Sequence, residues 1–134
     1  MRSSRHSARL GLALLLLVAA APAAAQGSPA LQAQFDRSVA VTKQAMMADP
    51  AEALASAKTT LTLAERLPAG RARELAVATA RWLHGEALIF LNDAAAAGPV
   101  IDAALAAAER IAPDTKLHGD ALRSRTLNAG VDLG

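Results

Sequence analysis

The residue types best suited to chemistry sit in two short stretches. Residues 83–88 read LHGEAL and residues 117–122 read LHGDAL, so a histidine followed two positions later by a carboxylate occurs twice, 34 residues apart. His84, Glu86, His118 and Asp120 could each ligate a transition metal. A stable site needs three or four converging ligands in a set geometry. Equivalent positions on neighbouring helices lie about 8–10 Å apart, too far for one ion to bridge the two copies. The expectation is two packed or half-buried histidines and no metal.

Other chemistry fares no better. Glu86, Asp93, Asp102 and Asp120 show no spacing that pairs a general acid with a general base, and solvated helix faces explain them. No serine lies in a glycine-framed nucleophile elbow. There is no phosphate loop, dinucleotide fingerprint or HExxH zinc motif. The chain has no cysteine, which removes disulfides, thiolate metal sites and a thiol nucleophile. The sequence therefore predicts no enzyme and no cofactor.

The elements that carry these residues follow an export tag. Arg2, Arg5, His6 and Arg9 form a basic start, Leu10 to Ala21 an apolar run, and Ala23-Ala24-Ala25 a small-residue cleavage site. That is the pattern of a secretory signal peptide over residues 1–25. The apolar run is shorter than the roughly 20 residues that span a bilayer. A periplasmic or secreted mature chain, starting at Gln26, is expected. The whole chain carries 14 basic and 12 acidic residues. The tag takes three arginines and no acid, which leaves eleven basic and twelve acidic residues and a charge of −1. The basic balance belongs to the tag, so no electrostatic case for nucleic-acid binding remains.

The rest is rich in Ala and Leu, and its only aromatics are Phe35, Trp82 and Phe90. This composition favours helix, and no segment alternates with the period of a strand. Punctuation cuts it into five helices. The first runs from about Pro29 to Ala48, with Leu31, Phe35, Val39 and Met46 on one face. Asp49-Pro50-Ala51-Glu52 ends it and caps the second, which turns Leu54, Ala57, Leu61, Ala64 and Leu67 inward. Leu67-Pro68-Ala69-Gly70 is the next stop. The third spans about Arg71 to Leu91, with Leu75, Ala78, Trp82 and Ile89 on one side, and Asn92-Asp93 breaks it. The fourth reaches Ala112. Gly98-Pro99 is either its first turn or a kink inside a helix starting near Ala94. The fifth runs from about Thr115 to Leu127, with Leu117, Leu122 and Leu127 to bury and Asn128-Ala129-Gly130 as its stop. Short connections predict antiparallel neighbours.

A period of 34 is the length of a tetratricopeptide repeat, and the chain resembles that family over residues 30–130. With Gly85 at the small position of a first helix, Leu88 falls at a large position and Asn92 at the turn. Ala97, Ile101 and Ala104 then take the small, large and small positions of the second helix. Small residues belong where the helices of a hairpin nearly touch, and large ones fill the space between. Gly119 and Leu122 repeat the Gly85 and Leu88 positions. In the first unit Ala53, Ala57 and Thr60 take the second-helix positions, with Val41 where the glycine should be. Departures are that Trp82 comes one residue late for the family's tryptophan, His84 replaces a leucine, and the proline expected after Ala104 is absent until Pro113. A Glu-Ala-Leu tripeptide at 52–54 and 86–88 is a false repeat, since it opens a second helix in one place and lies inside a first helix in the other. It is no sign of a cyclic-dinucleotide phosphodiesterase either, whose metal-binding acids have no counterpart here.

The resemblance implies an all-α, tetratricopeptide-like stack of helical hairpins, about two and a half repeats or five helices, after a signal peptide. It implies a protein or peptide partner on the face lined by first helices. In this register Trp82, Glu86 and Phe90, with Lys116, Asp120 and Arg123 of the next unit, are the candidate partner-facing residues. Trp82 and Phe90 packed between helices are the competing reading. The paired Lys/Asn clamp that some members use for a peptide carboxylate is not reproduced. The run RWLHGEALIFLNDAAAAGPV, behind an export signal, also looks like the N-terminal repeat region of certain bacterial signalling proteins. Several of those carry a GGDEF diguanylate cyclase domain further on. A sensory module of such an enzyme is thus a second expectation, and a small structural helical bundle a third. The fifth helix has no second helix after it. Either more chain continues the stack, or a partner or second copy covers that face.

Overall fold

The protein's structure, a computed structural model, describes residues 23–132. All but the last three residues of the expected signal peptide lie outside that range. Five α-helices follow in order: α1 (Ala23–Ala48), α2 (Pro50–Arg66), α3 (Arg71–Phe90), α4 (Ala94–Ile111) and α5 (Lys116–Asp132). The fold is all-α, with no strand among the described residues. No helix among them is long and apolar enough to cross a membrane.

The boundaries follow from local chemistry. Asp49 alone separates α1 from α2, and its carboxylate accepts from the backbone N–H groups of Ala51 and Glu52, each at 3.1 Å. That satisfies two donors that a helix start leaves open, and Pro50 has no such donor to lose. Gly70 re-enters at φ 144°, a conformation open to glycine and costly for other residues. At the end of α3, Asn92 takes φ 59°. Its N–H donates to Ile89 O at 2.9 Å, and Asp93 N–H donates to Leu88 O at 2.9 Å. This is a complete Schellman turn with Asn at the left-handed position. Asp93 then caps α4 through Ala96 N–H at 3.1 Å.

Two boundaries, those of α1 and α5, differ from the ones read in the sequence, and at α4 the structure takes the second of the two starts left open. α1 begins at Ala23 and carries Pro29 inside it. α4 begins at Ala94, so Pro99 lies within the helix. α5 runs through Asn128-Ala129-Gly130 to Asp132. Buried Asn128 donates its amide N–H to Ala94 O at 3.0 Å, which ties the would-be stop to the start of α4.

Each helix packs antiparallel on the next. Ser38 meets Thr60 while Thr42 meets Ser56, and Glu74 meets Arg110 at one end of the α3–α4 pair. Asp102 meets Arg125, and Glu109 meets His118, across α4 and α5. α1, α3 and α5 therefore run parallel. The backbones of α1 and α5 each approach that of α3, whereas those of α2 and α4 stay apart. A layer whose members touch is shorter than one whose members are held apart, so the stack curves with α1, α3 and α5 on the inside.

Small side chains make the core. Ala53, Ala57, Ala87, Ala97, Ala104 and Ala121 are fully buried, and the largest fully buried side chains are Leu83, Ile101, Thr42 and Thr60. Leu88, Ala97 and Ile101 pack together, while Ala104 joins the cluster around Trp82 and Leu83. α5 departs from expectation. Leu88 is 8% exposed, but its repeat equivalent Leu122 is 47% exposed. Leu127 is exposed too, and α5 instead buries Asp120, Ala121, Ser124 and Asn128. No helix among the described residues packs on the Gly119 and Leu122 side of α5.

Candidate functional site

The inner helices bring the sequence-predicted candidates together around Trp82. Trp82 on α3 is buried, and its indole N–H donates to Ser124 Oγ of α5 at 3.0 Å. Ser124 Oγ in turn donates to Asp120 O at 3.0 Å. Lys43 Nζ of α1 stands 5.5 Å from the centroid of the same ring, within cation–π range. One aromatic thus ties three parallel helices together, and its polar edge is already used within the protein. Phe90, two turns further along α3, is exposed.

The charged members form two depths. Asp120 is nearly closed off at 7% side-chain exposure, whereas Lys116 and Arg123 are 83% and 71% exposed. Lys116 Nζ lies 2.5 Å from Asp120 Oδ2, and Arg123 Nη2 lies 3.0 Å from Asp120 Oδ1. The buried carboxylate holds both cationic heads at the surface on one turn of α5. Glu86 of α3 is half-buried beside them. Burial pushes its carboxyl above the ordinary carboxylate range, and Asp120 pushes the same way. Arg123, Lys43 and Lys116 pull in the opposite direction without cancelling that rise.

The histidines lie apart from this face. Half-buried His84 has its pKa lowered by burial and, secondarily, by Lys58 of α2. His118 Nε2 lies 3.7 Å from Glu109 Oε1, and its Nδ1 accepts the Asp114 N–H at 3.4 Å. No group of three or more potential metal ligands occurs among the described residues. A surface cavity of about 460 Å³ lies near the start of α1, lined by Pro29, Leu67 and Gly70 among others. Arg71 is its one charged lining residue among the described residues, whereas the charged candidates gather around Trp82.

Two members of the cluster were not legible in the sequence. Lys43 lies in the first unit, which lacks the LHG signature, so no register pointed it at Trp82. Ser124 falls one turn after Asp120 on the buried side of α5, a signal available only once that side is known to be polar. Gly119, aligned with Gly85, has open space where a Cβ would stand.

Comparison with protein-family models, with curated proteins and with solved structures gives no match for this chain.

Proposed function

We propose that the protein is an exported, non-catalytic helical-repeat scaffold that holds a protein or peptide partner in the periplasm, on the face built by α1, α3 and α5. The observation that carries this reading is the curvature of the helix stack. α1 and α5 each approach α3 while the backbones of α2 and α4 stay apart, which leaves an inner face with exposed charge and exposed Phe90. The close fit at Gly85 and the Asn92 turn support a hairpin stack of tetratricopeptide type. The basic start, apolar run and alanine triplet of residues 1–25 support export.

The test is site-specific photo-crosslinking in cells that export the full chain. A crosslinker at Phe90 or Lys116 is expected to trap the same partner. One at Ala103 or Ala106, exposed on α4, is expected to trap none. Arg123→Ala should abolish the product while the chain still unfolds cooperatively on heating, since Lys116 continues to pair with the buried Asp120 carboxylate. Equal products from both faces would remove the reading.

A further inference from the structure

We propose that the inner face takes an acidic peptide segment carrying bulky apolar side chains. This deepens the reading above and rests on it. The first observation is the layering of charge. Lys43, Lys116 and Arg123 stand exposed, while Asp120 is buried beneath them and Glu86 is half-buried. Three cations over two carboxylates leave an excess of positive charge, and the cations are the outermost groups. A ligand approaching this face meets ammonium and guanidinium heads first. Asp120 pre-positions two of them, so less side-chain freedom remains to be lost on binding.

The second observation is a row of apolar side chains one turn beyond the charges. Met47 follows Lys43 on α1, Phe90 follows Glu86 on α3, and Leu127 follows Arg123 on α5, each by four residues. Residues four apart share a helix face, and all three helices run in the same direction. Met47, Phe90 and Leu127 are all exposed. The face therefore has a cationic tier and, about 5.4 Å along the helix axes, an apolar tier toward their C-terminal ends. Carboxylates would meet the first tier and bulky apolar side chains the second.

The same chemistry could attract an anionic bilayer. The shape disfavours it, because both tiers lie on the inside of the curve, where a rod or strand reaches and a planar surface does not. A second copy of the chain is also disfavoured, since two such faces would bring cations against cations.

Two model peptides test this on protein produced from the full chain, one of glutamate and leucine and one of lysine and leucine in the same order. Binding is followed by anisotropy of the labelled peptide and by emission of Trp82, the only tryptophan, which lies under Lys43. The glutamate peptide is expected to bind and to weaken with salt. Lys43→Glu and Phe90→Ser are each expected to weaken it roughly tenfold, since one reverses a cation and the other removes an apolar anchor. Preference for the lysine peptide, or binding unmoved by either substitution, overturns the acidic ligand while leaving the photo-crosslinking result standing. Failure of both peptides to bind does the same. Binding to phosphatidylglycerol vesicles that Phe90→Ser abolishes would assign the face to a membrane instead. A dimer in sedimentation that Phe90→Ser dissociates would assign it to a second copy.

Discussion

Gly85 of α3 and Ile101 of α4 stand so close that a Cβ built on the glycine would lie 2.4 Å from Ile101 Cγ1 and 3.2 Å from Cδ1. The clashing Cγ1 is bonded to the branched Cβ of a fully buried side chain, so it cannot simply swing aside. Gly119, in nearly the same six-residue context, meets nothing within 4 Å. The two glycines should therefore respond with opposite sign. Gly85→Ala gains about 1 kcal/mol of helix propensity but overpacks the seam at a cost of about 1–3 kcal/mol or more, for a net loss. Gly119→Ala keeps the propensity gain and should stabilise by roughly 0.5–1 kcal/mol. Urea unfolding of both variants checks this. Ile101→Ala, itself costly at a fully buried position, combined with Gly85→Ala should be less destabilised than the sum of the singles, and two single glycine variants of the same sign would contradict the packing.

Trp82 gives a second prediction. Ser124→Ala leaves the buried indole N–H without its acceptor, which costs about 1–3 kcal/mol. Trp82→Phe removes the donor as well. The double variant should thus be less destabilised than the sum of the singles. Strict additivity in urea unfolding would mean that the 3.0 Å contact contributes nothing.

The α1–α2 seam is held by hydroxyls. Ser38 and Thr60 lie 2.6 Å apart, Thr42 and Ser56 2.7 Å, and Thr42 and Thr60 3.2 Å. Each threonine also donates to the carbonyl one turn back on its own helix. Thr42→Val preserves shape but strands its partners, with an expected loss of about 1–2 kcal/mol. Thr42→Val with Ser56→Ala should cost less than the sum, because the Thr42 hydroxyl, its own proton spent on Ser38 O, is the acceptor for Ser56 Oγ. Denaturant midpoints of the three variants decide it.

The all-α architecture was legible because caps and glycines marked its joints, and the 34-residue spacing singled out Gly85, which meets Ile101 closely. Gly85 against Ile101, and Ala53, Ala57 and Thr60 turned inward, follow from that register. α5 was misread for a geometric reason. Leu117, Leu122 and Leu127 are spaced by five, and each step of five turns the helix about 140° away from a common face. They cannot line one side. The line that does, Leu117, Ala121, Ser124 and Asn128, is mostly polar or small, and counting apolar residues passed over it. Lys43 escaped because its partner lies on another helix and no periodicity joins them.

Acid and base should act on α3 through two residues with opposite signs. The Glu86 carboxyl is raised by burial and Asp120, so the folded chain holds that proton more tightly than the unfolded one. Stability then falls as pH rises out of the ordinary carboxylate range toward the raised value. Glu86→Gln should remove that slope and be more stable than the parent near neutral pH, yet not at low pH. His84 is lowered by burial and Lys58, so the unfolded chain takes the proton first. Stability is lost as pH falls through the ordinary histidine range, and His84→Leu should flatten that limb. Both groups keep some contact with solvent, which makes the effects modest, but their signs are fixed. Urea midpoints measured across the acid range should show the Gln variant diverging upward from the parent as pH rises. Curves that stay parallel would mean that Glu86 is as well solvated in the folded chain as in the unfolded one.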